Sequence, residues 1–175
     1  NDKWGQYLGY YKTIPELAGA GDAQATWTGG KGFNADEITQ MILGNITGWG
    51  KDTFNTILEN MSRTYQIGGD AFAEIITDEE GILTNLKPLD PGTIIIVCDS
   101  RGRIKRYEQA SKVKKPNKKF EPSKIFHLAR NRVADEIHGV SIIPPIENII
   151  LMRNEAMTDW RRVLHRNIDP LWIFH

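Results

Sequence analysis

The apolar positions of this chain change their period several times, and each change marks an element. Phe54, Ile57, Leu58, Met61 and Tyr65 recur at i, i+3, i+4, i+7 and i+11, the one-sided stripe of a core-facing helix. Gly68 and Gly69 close that helix, and Asp52 is placed to cap its start. A shorter helix is predicted before it, through Ile38, Met41 and Ile42. It opens on the N-cap pattern of residues 34–37, where a short polar cap precedes Glu37, and ends near Gly44.

From Asp70 the period falls towards 2. Residues 71–76 read as a strand, the run Asp78, Glu79, Glu80, Gly81 as a turn, and residues 82–87 as the next strand. Residues 88–92, with two prolines and a glycine, predict a second turn. Residues 93–98 are β-branched and almost wholly apolar, which predicts a strand buried on both faces. Asp99 to Gly102 has hairpin chemistry and leads into a strand at 103–107. Residues 110–122 read as a Lys- and Pro-rich loop, and 123–128 as the last strand of the set.

After Ser141 the period returns to 3.6. Pro144 and Pro145 suit a first helical turn, where missing amide donors cost nothing. Ile146, Ile149, Ile150, Met157, Trp160 and Leu164 then mark one face of a helix reaching about His165. Arg153, Glu155, Asp159, Arg161 and Arg162 mark the other. Residues 171–175 read as a strand. Residues 1–33 hold glycines and aromatics in no helical period and predict an irregular, partly extended lead-in. The fold class is therefore α+β: two N-terminal helices, an antiparallel meander of about five short strands, and a long C-terminal helix followed by a strand. At 175 residues the chain suits a single domain, 1–175. Its start at Asn1 and its stop in mid-strand lead us to expect a fragment of a longer polypeptide.

Composition narrows the class further. Apolar residues make up 40% and charged residues 25%, enough apolar material to offset the entropy of ordering. No apolar run approaches the ~20 residues that span a bilayer, and no secretory signal opens the sequence. The chain thus reads as soluble and non-secreted, with no membrane partner. The 22 basic and 22 acidic residues cancel, but not evenly. Residues 1–100 hold 6 basic and 14 acidic side chains, whereas residues 101–132 hold 12 basic and 2 acidic. Taken alone, a run of this kind is a solvated surface that aids solubility. Its functional reading is contact with phosphate or an acidic partner, through Lys112, Lys114, Lys115, Lys118 and Lys119.

Catalytic signatures are sparse. The glycines at 19, 21, 29, 30 and 32 fit neither the dinucleotide nor the phosphate-loop pattern. One cysteine, Cys98, excludes an internal disulfide, and its apolar neighbours disfavour a reactive thiolate. The histidines at 127, 138, 165 and 175 show no metal-ligand spacing. His127, within a strand, reads as a hydrogen-bonded structural histidine. His138, beside Asp135 and Glu136, is an acid–base cluster in a polar link whose surface reading is the stronger. The sequence predicts no catalytic residues, no metal and no cofactor.

One order of features is more specific than any single motif. Gly69, Asp70, Ala71 and Phe72 open a strand; Leu86, Lys87 and Pro88 form a Leu-x-Pro turn; Ile125, Phe126 and His127 form an Ile-x-His strand. Gly139, Val140 and Ser141 then precede the prolines that start the long helix. This order, over residues 53–175, resembles the portal proteins of tailed bacteriophages and related viruses. The resemblance implies a structural subunit, without catalytic activity, of a ring of about twelve copies at one capsid vertex. Such a ring is the conduit for DNA packaging and ejection. Its implied partners are further copies of itself, terminase, capsid and tail or adaptor proteins, and the double-stranded DNA passing through. Its implied location is the virion, after assembly in the host cytoplasm. The matched part corresponds to the outer wing, up to the start of the stem. The family's channel-narrowing loop, clip and crown lie further along, so no DNA-contacting residue carries over. Two other readings stand beside it: a stand-alone nucleic-acid-binding module using the basic stretch 101–124, and a small hydrolase centred on His138.

Overall fold

The computed structural model describes residues 3–111 and 117–168. Four helices come first: α1 (Trp4–Thr13), α2 (Pro15–Gly29), α3 (Glu37–Gly44) and α4 (Phe54–Gly68). Six strands follow: β1 (Asp70–Thr77), β2 (Leu83–Leu89), β3 (Ile94–Cys98), β4 (Ile104–Gln109), β5 (Lys118–Phe120) and β6 (Ile125–Ala129). A 22-residue helix, α5 (Glu147–Ile168), comes last. The class is α+β, as the pattern predicts. The described chain forms two compact units that divide after Ser141.

Strand β1 organises the first unit because its two faces serve two cores. Ala71, Ala73 and Ile75 join Ile57 and Met61 of α4, with Ile46 and Leu86, in one apolar cluster. Alternation sends Phe72 to the opposite face, where it meets Leu89, Ile94, Tyr107, Phe120 and Ile125. The alanines let α4 lie close on the sheet, while Phe72 fills the space between the two sheets. One sheet has the order β2-β1-β6, and the other β3-β4-β5. All four strand pairings are antiparallel.

Two proline-led turns move the chain between the sheets. At Pro91–Thr93 the Asp90 carboxylate accepts the Gly92 amide (3.0 Å) and its carbonyl accepts that of Thr93 (3.0 Å). Pro122–Lys124 is the return turn, after which β6 pairs with β1. The strands are therefore not one continuous meander. They split into the β1–β2 hairpin, a separate β3-β4-β5 meander, and a returning β6. Other expectations are corrected in detail. Residues 118–120, read as loop, form β5. Strand β3 is not buried on both faces, since it lies at a sheet edge and Ile95 is 47% exposed. Pro88 does not begin a turn but pairs with Ala73 from edge strand β2, a position where a missing amide donor is tolerated.

The front of the chain also departs from expectation. Residues 1–33 do not form an irregular lead-in; α1 and α2 occupy most of them. Helix α2 buries Leu17, Gly21 and Ala25, one residue per turn and two of them small. That close-packing face carries no large apolar stripe to betray it. Asp22 on α2 binds the other two helices, accepting from the Tyr11 hydroxyl (2.6 Å) and from Arg63 Nε (2.6 Å). Helix α3 follows the predicted span, capped by Asp36, which accepts from the Thr39 amide (3.1 Å). Helix α4 is capped not by Asp52 but by Thr53, in a reciprocal box with Thr56. Asp52 instead accepts from the Trp49 amide (3.0 Å).

In the second unit the short turn Pro144–Ile146 leads into α5. Ile150 is buried, but Ile149, Leu151, Met152, Met157, Trp160, Val163 and Leu164 are all exposed. The strand expected at residues 171–175 lies outside the described residues. Among those residues no helix is long and apolar enough to cross a membrane.

Candidate functional site

Three places hold the chemistry of this chain: a buried carboxylate hub, a basic edge and an apolar groove. The hub centres on Asp70, which is 1% exposed at the first position of β1. Gly69 turns the chain there with a φ of +87°, so α4 ends and β1 begins within one residue. Asp70 Oδ1 accepts from His127 Nε2 (2.9 Å) and from the Gly139 amide (2.8 Å). Its Oδ2 accepts from His138 Nδ1 (2.7 Å). Burial opposes the charged form, but the bonds from His127, the Gly139 amide and His138 outweigh it and hold the carboxyl below its ordinary range.

His127 is fixed on every side. It pairs in register with Phe72 across the β1–β6 ladder, and the two rings stack at 4.5 Å between centroids. Tyr107 of β4 brings its hydroxyl to 3.3 Å from His127 Nδ1. Burial first, and then the nearby Asp70 charge, push the Tyr107 hydroxyl above its usual range. The structural reading of His127 holds. His138 is exposed, as its sequence setting implies, but its carboxylate partner is Asp70 rather than Asp135 or Glu136.

Around this hub the segment after β6 is clasped onto the start of β1. Arg130 donates its amide to the Gly69 carbonyl (2.8 Å), and Val140 donates to the Arg130 carbonyl (2.7 Å). Ser141 donates its hydroxyl to the Ile67 carbonyl (2.6 Å). What the arrangement does chemically is hold a connector in place. Both Asp70 oxygens and the Nε2 of His127 are committed, and among the described residues no group of three or more His, Cys, Asp or Glu could hold a metal ion.

The basic edge is more neutral than its sequence suggests. Lys118 Nζ donates to Glu74 Oε1 (2.7 Å) and sits 4.6 Å from the Phe120 ring centroid. Lys119 is exposed and stands opposite Glu108 in the β4–β5 register. Arg106 binds Glu108 (2.6 Å), holding its carboxyl below the usual range, and Arg103 binds Asp99 (3.1 Å). Glu74 and Asp99 come from the acidic first hundred residues, so the fold brings part of that excess to the basic segment. Lys112, Lys114 and Lys115 lie outside the described residues.

The groove lies between α3, α4 and the β2-β1-β6 sheet. It has a volume of about 380 Å³, and Leu43, Phe54, Leu58, Ile75, Leu83 and Phe126 are among the side chains lining it. Gly81 of the acidic turn also borders it. Sequence reasoning missed this groove, because its walls come from five separate elements.

No protein-family profile matches this sequence, and no curated protein does. Solved structures do match. A chain in the neck of an empty GTA particle, computed with C6 symmetry, superposes with a TM-score of 0.75 at 14% identity, over 99% of this chain and 48% of that one. A chain in the neck of a native GTA particle, computed with C12 symmetry, gives 0.70 at 14% identity, over 96% and 46%. A chain in the virion of a native gene transfer agent (GTA) particle gives 0.61 at 17% identity, over 78% and 37%. The fold is shared, and this chain spans less than half the length of each of these three chains.

Proposed function

We propose that this chain is part of a structural subunit of a portal ring at the vertex of a phage-like particle, within the conduit through which DNA is packaged and ejected. The observation that carries the proposal is the fold shared with neck chains computed with six- and twelve-fold symmetry, over nearly the whole of this chain. The long helix α5 supports it. Seven large apolar side chains stand exposed along one 22-residue helix, a surface that an isolated subunit has no use for. The wing-like position, a ring of about twelve copies and virion localisation belong to the same proposal, as do contacts with terminase, capsid and tail or adaptor proteins.

The role is structural rather than enzymatic. The hub at Asp70 spends its polar atoms on its own backbone and side chains, and His138 serves that hub. The nucleic-acid-module reading draws less support, because Arg103, Arg106 and Lys118 are paired with carboxylates. Electron microscopy of the full-length protein that carries this chain is the test. Rings with a central pore are expected; a protein that stays monomeric under assembly conditions would overturn the proposal.

A further inference from the structure

We infer that the apolar groove bordered by α3, α4 and the acidic turn receives α5 of a second copy of this chain. The inference rests on the ring reading and names the contact that would build such a ring. The groove is lined by Leu43, Phe54, Leu58, Ile75, Leu83 and Phe126, and it is open to solvent. Its border carries charge of one dominant sign: Asp78, Glu79 and Glu80 are exposed in the turn that leads to Gly81. The Asp78 carboxylate is held by the Glu80 and Ile82 amides (3.0 and 2.8 Å), which fixes the turn. Lys124, whose Nζ donates to Thr77 Oγ1 (2.7 Å), is a cation on the same edge.

Helix α5 has the complementary character. Met157, Trp160 and Leu164 stand at i, i+3 and i+7 with Val163 beside them, and all four are exposed. Arg161 and Arg166 border this ridge on its two sides and are exposed, while Arg162 lies on the opposite face and reaches Asp159 at 3.3 Å. An apolar ridge with a basic flank thus matches an apolar groove with an acidic border. Tryptophan is the side chain most suited to anchor such a contact, since it buries roughly 150–250 Å² and is enriched at interface centres. The occupant is a second copy because the two complementary patches are different surfaces of one chain. Contact between unlike patches repeats from copy to copy and closes into a ring when the rotation allows, whereas a self-matching patch stops at a dimer.

The test joins two tagged forms of the full-length protein in a background lacking other cysteines, beginning with Cys98→Ser. One form carries Leu83→Cys and the other Trp160→Cys; they are co-expressed, mildly oxidised and separated on a non-reducing gel. The same sample is imaged by electron microscopy. A disulfide joining the two tags, in a sample that contains rings, is the expected result. If Leu83→Cys disturbs folding, Ile82→Cys on the exposed border replaces it. A charge swap provides a second readout. Glu79→Arg with Glu80→Arg should weaken assembly, and adding Arg161→Glu with Arg166→Glu should restore it. Rings without the inter-tag disulfide would overturn the inference and leave the ring reading standing. A disulfide formed only when one chain carries both cysteines would also overturn it, by placing α5 in its own groove. The disulfide without rings would keep the contact and reject the ring, and neither product would reject both.

Discussion

Gly69 and Gly139 cross so closely that a Cβ on either one would overlap the carbonyl oxygen of the other. The obstacle at each is backbone, which cannot rotate away as a side chain can. At Gly139 a Cβ would also meet the backbone of Arg130. Gly139→Ala is therefore expected to destabilise the fold by about 1–3 kcal/mol, the usual range for overpacking. Gly69→Ala should cost more, because its φ of +87° is itself unfavourable for a residue with a Cβ. Gly19→Ala, in the exposed middle of α2 with nothing near its Cβ, should instead stabilise by roughly 0.5–1 kcal/mol. Urea unfolding of the three variants checks the order.

Asp70 gives the same junction a dependence on pH. Its carboxyl lies below its ordinary range in the folded chain, so folding favours the ionised form. The stabilisation is fully present above the unfolded value, about 3.9, and is lost as pH falls through the folded one. At neutral pH, Asp70→Ala should cost on the order of 3 kcal/mol, because His127 and the buried Gly139 amide lose a charged acceptor. For Asp70→Asn, the gap from the parent protein should shrink as pH drops below about 4. A gap that stays constant from neutral to strongly acidic pH would show that ionised Asp70 is not the source.

Much of this junction is hidden from a linear reading. His127 could be read as structural because it sits in an apolar strand, but its partner Asp70 lies 57 residues away, and His138 binds that same carboxylate from 68 residues away. The local neighbours of His138, Asp135 and Glu136, pointed to the wrong carboxylates. Helix α4 is legible because its core contacts are large apolar side chains at helical spacing. Helix α2 is not, because Gly21 and Ala25 achieve burial by being small. The split into two sheets was also illegible. Both turns that switch sheets are led by a proline, as ordinary turns are, and only long-range pairing of β6 with β1 tells them apart.

At the opposite pH extreme, Tyr11 should govern a late titration. Burial first, and then its bond to Asp22, push its hydroxyl up to about 12. A phenol whose folded value is raised contributes stability that is complete below about 10, its unfolded value, and lost as pH rises through 12. Tyrosinate absorbance should show a step near 12 that Tyr11→Phe removes. Over the same interval the parent should lose stability relative to Tyr11→Phe. A Tyr11 that ionises near the ordinary phenol value, about 10, would mean that its bond to Asp22 does not persist in solution.

The exposed ridge of α5 makes the sharpest separation between folding and assembly. Trp160 is 62% exposed and Val163 is 50% exposed, so truncating them removes little buried area from the subunit itself. Trp160→Ala and Val163→Ala should each change the unfolding free energy of the dissociated protein by no more than about 0.5 kcal/mol. Truncating Ile57 provides the contrast. It is 1% exposed in the cluster under α4, and Ile57→Ala should cost about 2–5 kcal/mol. In sedimentation of the full-length protein, Trp160→Ala should nevertheless shift the population from assembled to free subunits, whereas Gly19→Ala should leave it unchanged. If Trp160→Ala unfolds the free subunit as readily as Ile57→Ala does, the ridge belongs to the subunit's own core. If it alters neither stability nor assembly, the ridge is a solvent-facing surface with no part in the ring.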